Sequence, residues 1–157
     1  MEGEILVMGA GNPLMRDDGA GVLAVRALMA EPWPKRVEFE DAATFTQDLF
    51  HQLDRYVAVL ILDVARFGGA PGEVRVLGGE DVLAGSGPGV SLHELDLAES
   101  LRLARELGEL PRLRLVVMEP RDVGYGLEPT AEIRAALPRM IQAARDELRL
   151  LLDGVQS

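Results

Sequence analysis

Two carboxylates stand side by side at Asp17-Asp18, where a helix is expected to begin, a short way after the apolar run Ile5 to Met8 and the glycine-bearing stretch Gly9-Ala10-Gly11. A third, Asp63, closes the most apolar segment of the chain, Val57 to Leu62. Of two histidines, His93 falls in Ser91-Leu92-His93-Glu94, whose serine-to-glutamate spacing is that of a helix capping box. A helix N-terminus disfavours imidazolium, so a neutral, ligating ring suits that place; the plain alternative is a surface histidine at a helix start. One imidazole nitrogen and two sets of carboxylate oxygens, at Asp18, Asp63 and His93, suit a borderline divalent ion with open coordination positions. For Asp17 and Asp18 the plain reading is helix capping, which accounts for one of them but exceeds its need with two. His51 has no comparable setting and is read as structural.

Those groups need elements to bring them together. Ile5–Met8 reads as a buried strand, 19–30 as a helix stopped by Pro32, 37–40 as a second strand and 46–53 as a short helix. Val57–Leu62 is β-branched and apolar enough for a central strand, while Glu73–Leu77 alternates like an edge strand. Leu95, Ala98, Leu101, Ala104 and Leu107 recur at helical spacing before Gly108 and Pro111, and Leu113–Met118 is another buried strand. A last helix over about 130–152 turns Ile133, Leu137, Ile141, Ala144, Leu148 and Leu151 inward, with Pro138 expected to kink or split it. Alternating strands and helices predict a three-layer α/β fold: a mostly parallel twisted sheet of about five strands with helices on both faces. Ligand crevices of such sheets lie beyond the carboxyl ends of strands, where strand order reverses. If strands one and three are neighbours, Asp18 and Asp63 face the same crevice.

Composition removes other chemistries. The chain of 157 residues has the length of one domain, read here as spanning 1–157, and 48% hydrophobic residues supply a core. Without cysteine there is no thiolate zinc site, disulfide or cysteine nucleophile. Net charge −10 and the lack of a basic stripe speak against nucleic acid. Lys35 is the lone lysine, so no P-loop lysine follows a glycine loop. No apolar run reaches membrane-spanning length and no basic leader precedes the first strand, so a soluble cytoplasmic protein is expected. A dinucleotide fingerprint wants a third glycine where Leu14 stands, and Asp17-Asp18 would repel a pyrophosphate at the helix start. Around Ser86 the nucleophile-elbow glycines are replaced by Ala84 and Pro88.

The stretch Gly9-Ala10-Gly11-Asn12-Pro13-Leu14-Met15-Arg16-Asp17-Asp18-Gly19-Ala20-Gly21 resembles the N-terminal signature of the nickel–iron hydrogenase maturation endopeptidases. The likeness continues through Leu62-Asp63-Val64-Ala65, Pro71-Gly72, Ser91-Leu92-His93-Glu94-Leu95 and Gly126-Leu127-Glu128-Pro129-Thr130, covering nearly the whole chain in order. The resemblance implies a sheet of about five strands and removal of a C-terminal extension from a hydrogenase large-subunit precursor after nickel insertion. It carries the family's nickel-binding trio onto Asp18, Asp63 and His93, as catalytic and metal-contacting residues, with Asn12 and Asp17 as loop support. The nickel ion would arrive with the substrate, and no tightly held metal of the enzyme's own is expected. One departure is Asp41-Ala42-Ala43-Thr44, where the family commonly has two glycines, which bears on which precursor is accepted. A non-proteolytic metal-sensing assembly factor, a divergent peptidase with another protein substrate, and a dinucleotide-binding module are the rival readings.

Overall fold

The computed structural model describes residues 4–41, 55–80, 91–92, 105–106 and 111–156. Chain order runs through β1 (Glu4–Gly9), a 3₁₀ turn (Arg16–Gly19), α1 (Ala20–Met29), β2 (Val37–Asp41), β3 (Tyr56–Arg66), β4 (Val74–Gly78), β5 (Ser91–Leu92), β6 (Arg112–Met118) and α2 (Ala131–Gln156). The strands lie in the order β2-β1-β3-β6-β4. β1 pairs in parallel with β2 and β3, β3 in parallel with β6, and the edge strand β4 runs antiparallel on β6. β5 adds a short antiparallel pair to the far end of β3. This is the mostly parallel α/β sheet that the sequence predicts, with β1 and β3 adjacent.

Both sheet faces are buried, as near-continuous apolar strands require. On one face Ile5, Val7, Leu60, Leu62, Val116 and Met118 pack with α1 through Ala24, Val25 and Leu28, and with α2 through Ile133, Met140, Ala144 and Leu148. On the other, Leu6, Met8, Val59, Ile61, Leu115 and Val117 form a second buried cluster. Among the described residues no helix is long and apolar enough to cross a membrane.

Three local expectations change. β3 does not stop at Leu62 but continues to Arg66, because β6 and then β5 supply partners for Asp63 to Arg66 after β1 has ended. Ser91 and Leu92 belong to that added strand rather than to the first turn of a helix. The helix expected over 95–107 lies outside the described residues except for Arg105 and Glu106, which are helical, and that expected over 46–53 lies outside them entirely. Pro138 does not split α2, which runs unbroken through it. Its ring removes one N–H from the helix ladder, a cost that packing of Ile133, Ala136 and Met140 into the sheet offsets. The most buried positions, Ala136 and Met140, sit one residue before the expected Leu137 and Ile141, which are partly buried beside them.

Candidate active site at the β1–β3 junction

β1 is followed by a chain reversal that α1 must press against. Gly21, in the first turn of α1, lies so close to the strand ends that a Cβ there would be 2.2 Å from the Leu62 carbonyl oxygen and 2.7 Å from that of Ala10. Gly11 has φ +116°, and a Cβ on it would meet the Asp18 carbonyl oxygen at 1.9 Å. The glycines of Gly9-Ala10-Gly11 and Gly19-Ala20-Gly21 thus let the 3₁₀ turn seat itself against the end of β1 and against Leu62 of β3. The Ala10 N–H continues the pairing by donating to Leu62 O at 2.8 Å. Strand order reverses between β1 and β3, so this junction is the switch-point crevice of the sheet.

Asp18 is 2% exposed, and its Oδ2 accepts the Asn12 N–H at 2.7 Å. The Asn12 side chain in turn accepts the Leu14 N–H at 2.9 Å. The backbone donor that a bound phosphate would use in a dinucleotide loop is therefore committed to the chain's own carboxylate. Asp63 is fully buried, one residue beyond the Leu62–Gly9 pair, and its Oδ1 accepts the Val64 N–H at 2.7 Å. The backbones that carry Asp18 and Asp63 meet at the Leu62 carbonyl, on opposite sides of one strand-to-helix contact.

His93 lies outside the described residues, as do His51, Ala42, Ala43, Thr44 and Ser86. Leu92, which precedes His93 in sequence, pairs with Ala65, two residues beyond Asp63. Among the described residues no three of His, Asp and Glu are grouped to hold a metal. Asp18 and Asp63 are the part of the proposed trio for which the structure supplies positions.

Neither aspartate caps α1, which has no side-chain cap bond at Gly19. Asp17 does something the sequence did not disclose. Fully buried, it accepts the Arg121 and Asp122 N–H groups on Oδ2 at 2.8 and 2.7 Å, and the Thr130 N–H on Oδ1 at 2.7 Å. The Thr130 hydroxyl lies 3.0 Å from both oxygens. One carboxylate thereby ties the loop after β1 to the loop between β6 and α2. The tie is doubled by a parallel bridge of Met15 with Gly126, in which Arg16 N donates to Gly126 O and Gly126 N to Leu14 O. Arg16 holds a left-handed backbone at φ 47°, its Nε donating to Tyr125 O at 3.2 Å and its guanidinium pairing with Asp122 at 3.2 Å. A second loop-tying carboxylate, the buried Glu119, gathers the Phe67 and Gly69 N–H groups at 2.8 and 2.9 Å, and so fixes the turn that follows β3. Nothing in local spacing marks the partners of Asp17, which lie more than a hundred residues away; the only hint is the 126–130 block that the resemblance includes.

Two buried carboxylates thus flank the contact of Gly21 with Leu62, Asp18 on the turn after β1 and Asp63 within β3, and such groups can serve as general bases or as metal-contacting oxygens. The hydrogenase maturation protease family model matches residues 22–147, and the chain belongs to that family of peptidases. It is 34% identical to the hydrogenase 2 maturation protease of Escherichia coli over 90% of this chain and 91% of that protein. It is 32% identical to the hydrogenase expression/formation protein HupD of Rhizobium leguminosarum, over 92% and 74% of the two chains. In structure it is similar to the hydrogenase maturating endopeptidase HybD from E. coli, with a TM-score of 0.83 and 31% identity, covering 93% of this chain and 92% of that one.

Proposed function

We propose that this peptidase removes the C-terminal extension of a nickel-loaded hydrogenase large-subunit precursor in the cytoplasm, with Asp18, Asp63 and His93 meeting the nickel that the precursor brings. The observation that carries this reading is the placement of Asp18 and Asp63 on either side of the β1–β3 switch point, in a chain whose relatives are named for hydrogenase maturation. Hydrolysis needs a water added to the scissile carbonyl, the C–N bond broken and a proton delivered to the leaving amine. Carboxylates at Asp18 and Asp63 can take the proton from the water and return one to the amine. With oxygens on the ion as well, they align the peptide beside the metal, which lowers the pKa of a bound water when it participates.

Two carboxylates and one imidazole form an incomplete set for permanent metal retention, and the chain has no cysteine to complete it. The nickel is accordingly part of the substrate. A precursor without it leaves acidic groups facing the peptide with no cation between them, which disfavours its binding.

The direct test is the mass of the precursor before and after incubation with the wild-type protein and with Asp63→Asn. Loss of one C-terminal fragment with wild type only supports the reading. Tight binding with no change of mass would instead make the chain a metal-sensing assembly factor.

A further inference from the structure

The geometry points to an apolar docking surface beside the β1–β3 junction, formed by Leu14, Tyr125 and Leu127, that grips an apolar segment of the precursor polypeptide. The inference rests on the proposed processing function and adds where the substrate is held.

Among the described residues six large apolar side chains are exposed, and three of them belong to these two loops: Leu14 at 59%, Tyr125 at 87% and Leu127 at 79%. The other three, Met29, Val76 and Leu150, are scattered over α1, β4 and α2 and call for no explanation. The parallel bridge of Met15 with Gly126 sets Leu14 across from Tyr125, and Leu127 two residues further along on the Tyr125 side. Leu14 is four residues from Asp18 on a loop whose Asn12 backbone holds the Asp18 carboxylate.

The exposure is also held rigid. Both loops are tied by Asp17, by the Arg16–Gly126–Leu14 backbone bonds and by the Arg16 contacts to Tyr125 O and Asp122. A surface ordered before its partner arrives loses little entropy on binding, which is the condition under which a few aromatic and aliphatic anchors dominate affinity.

Size selects the occupant. Three such side chains present on the order of 400 Å². That is about half of the ~800 Å² per partner that a stable assembly buries, so the patch fits a transiently held polypeptide better than a second copy of this chain. At its rim Arg16 is matched by Asp122, and Arg121 by Glu132. Glu128, 77% exposed at its side chain, has Arg134 only at 3.8 Å. Around the patch the three bases Arg16, Arg121 and Arg134 are thus balanced by the three acids Asp122, Glu132 and Glu128, and what the surface offers a partner is its apolar side chains.

The test uses Leu127→Ser and the double variant Tyr125→Ser/Leu127→Ser, with the nickel-loaded precursor of the hydrogenase large subunit encoded in the same genome. Both side chains are solvent-facing, so the thermal midpoint stays at the wild-type value. The double variant is expected to raise KM for the precursor about 30-fold with kcat within about twofold, the pattern of lost uniform binding. The same substitutions in an Asp63→Asn background weaken binding to immobilised precursor in parallel. An unchanged KM and unchanged binding in the double variant overturn the docking surface while leaving the processing function standing. Wild type that binds through the patch but never cleaves keeps the surface and removes the protease reading. A wild-type dimer that the double variant dissolves assigns the patch to self-association and overturns the inference.

Discussion

Replacing Asp17 by asparagine changes one oxygen for an amide nitrogen and should undo the tie between the two loops that frame the crevice. The wild-type carboxylate accepts three backbone N–H groups and lies within reach of the Thr130 hydroxyl, with every partner at 2.7–3.0 Å and the group itself fully buried. In the better of its two orientations the asparagine oxygen keeps the Arg121 and Asp122 N–H groups, and its NH₂ then faces the Thr130 N–H, donor against donor. One buried backbone donor is left unpaired, at about 1–3 kcal/mol, and the two retained bonds lose their charge assistance at roughly 1 kcal/mol each. The sum is about 3–5 kcal/mol, a large share of the 5–15 kcal/mol that hold a typical domain. For a chain of this size each kilocalorie lowers the thermal midpoint by about 2–4 °C, so a drop on the order of 10 °C is expected. Urea unfolding followed by circular dichroism measures it, with Thr130→Val, which removes only the hydroxyl, expected to cost about 1 kcal/mol. Asp17→Asn within about 0.5 kcal/mol of wild type would refute the tie.

Other outcomes follow from the same geometry. Asp18→Asn and Asp63→Asn should abolish precursor processing while the protein still melts cooperatively; activity lost only in step with folded protein would make both residues structural. Gly11→Ala should destabilise by several kcal/mol, since it combines a φ of +116° with a Cβ 1.9 Å from the Asp18 carbonyl oxygen, and a normal midpoint would contradict the packing described. The carboxyl of Glu31 is held below its ordinary range, first by its hydrogen bond from Arg145, and that of Glu4 is raised, first by its hydrogen bond with Glu38. The Glu31 contribution is therefore present above the usual carboxylate pKa and lost as pH falls through the lowered value, while the Glu4 contribution is present in acid and lost as pH rises through the raised value. Arg145→Met should lower the thermal midpoint slightly at pH 7 and leave it unchanged in strong acid; an equal drop at both would show that the pair contributes packing alone.

The mostly parallel α/β sheet was readable, and with it the placing of Asp18 and Asp63 beside β1 and β3, because both depend on local pattern. Val57–Leu62 is apolar on both sides of the strand, so it had to be central, and a carboxylate after such a run had to lie near a strand's carboxyl end. The role of Asp17 was not readable, because adjacent carboxylates at a helix start look like caps whether or not they reach across the molecule to residues 121–130. The extension of β3 through Asp63 to Arg66 was hidden for a similar reason: β6 and β5 supply the pairing, and neither partner is near in sequence. Pro138 argued for a broken helix by local rules, and tertiary burial of the flanking apolar stripe prevailed.

Under the proposed function, Asp18 and Asp63 read nickel already seated in the precursor. The measurement that tests it most directly offers the purified protein nickel-loaded and nickel-free precursor in separate reactions, after elemental analysis of the protein, and weighs the products by mass spectrometry. The expected result is an enzyme with little metal of its own that shortens only the loaded precursor. Equal cleavage of both, or one tightly held zinc per chain, would contradict it.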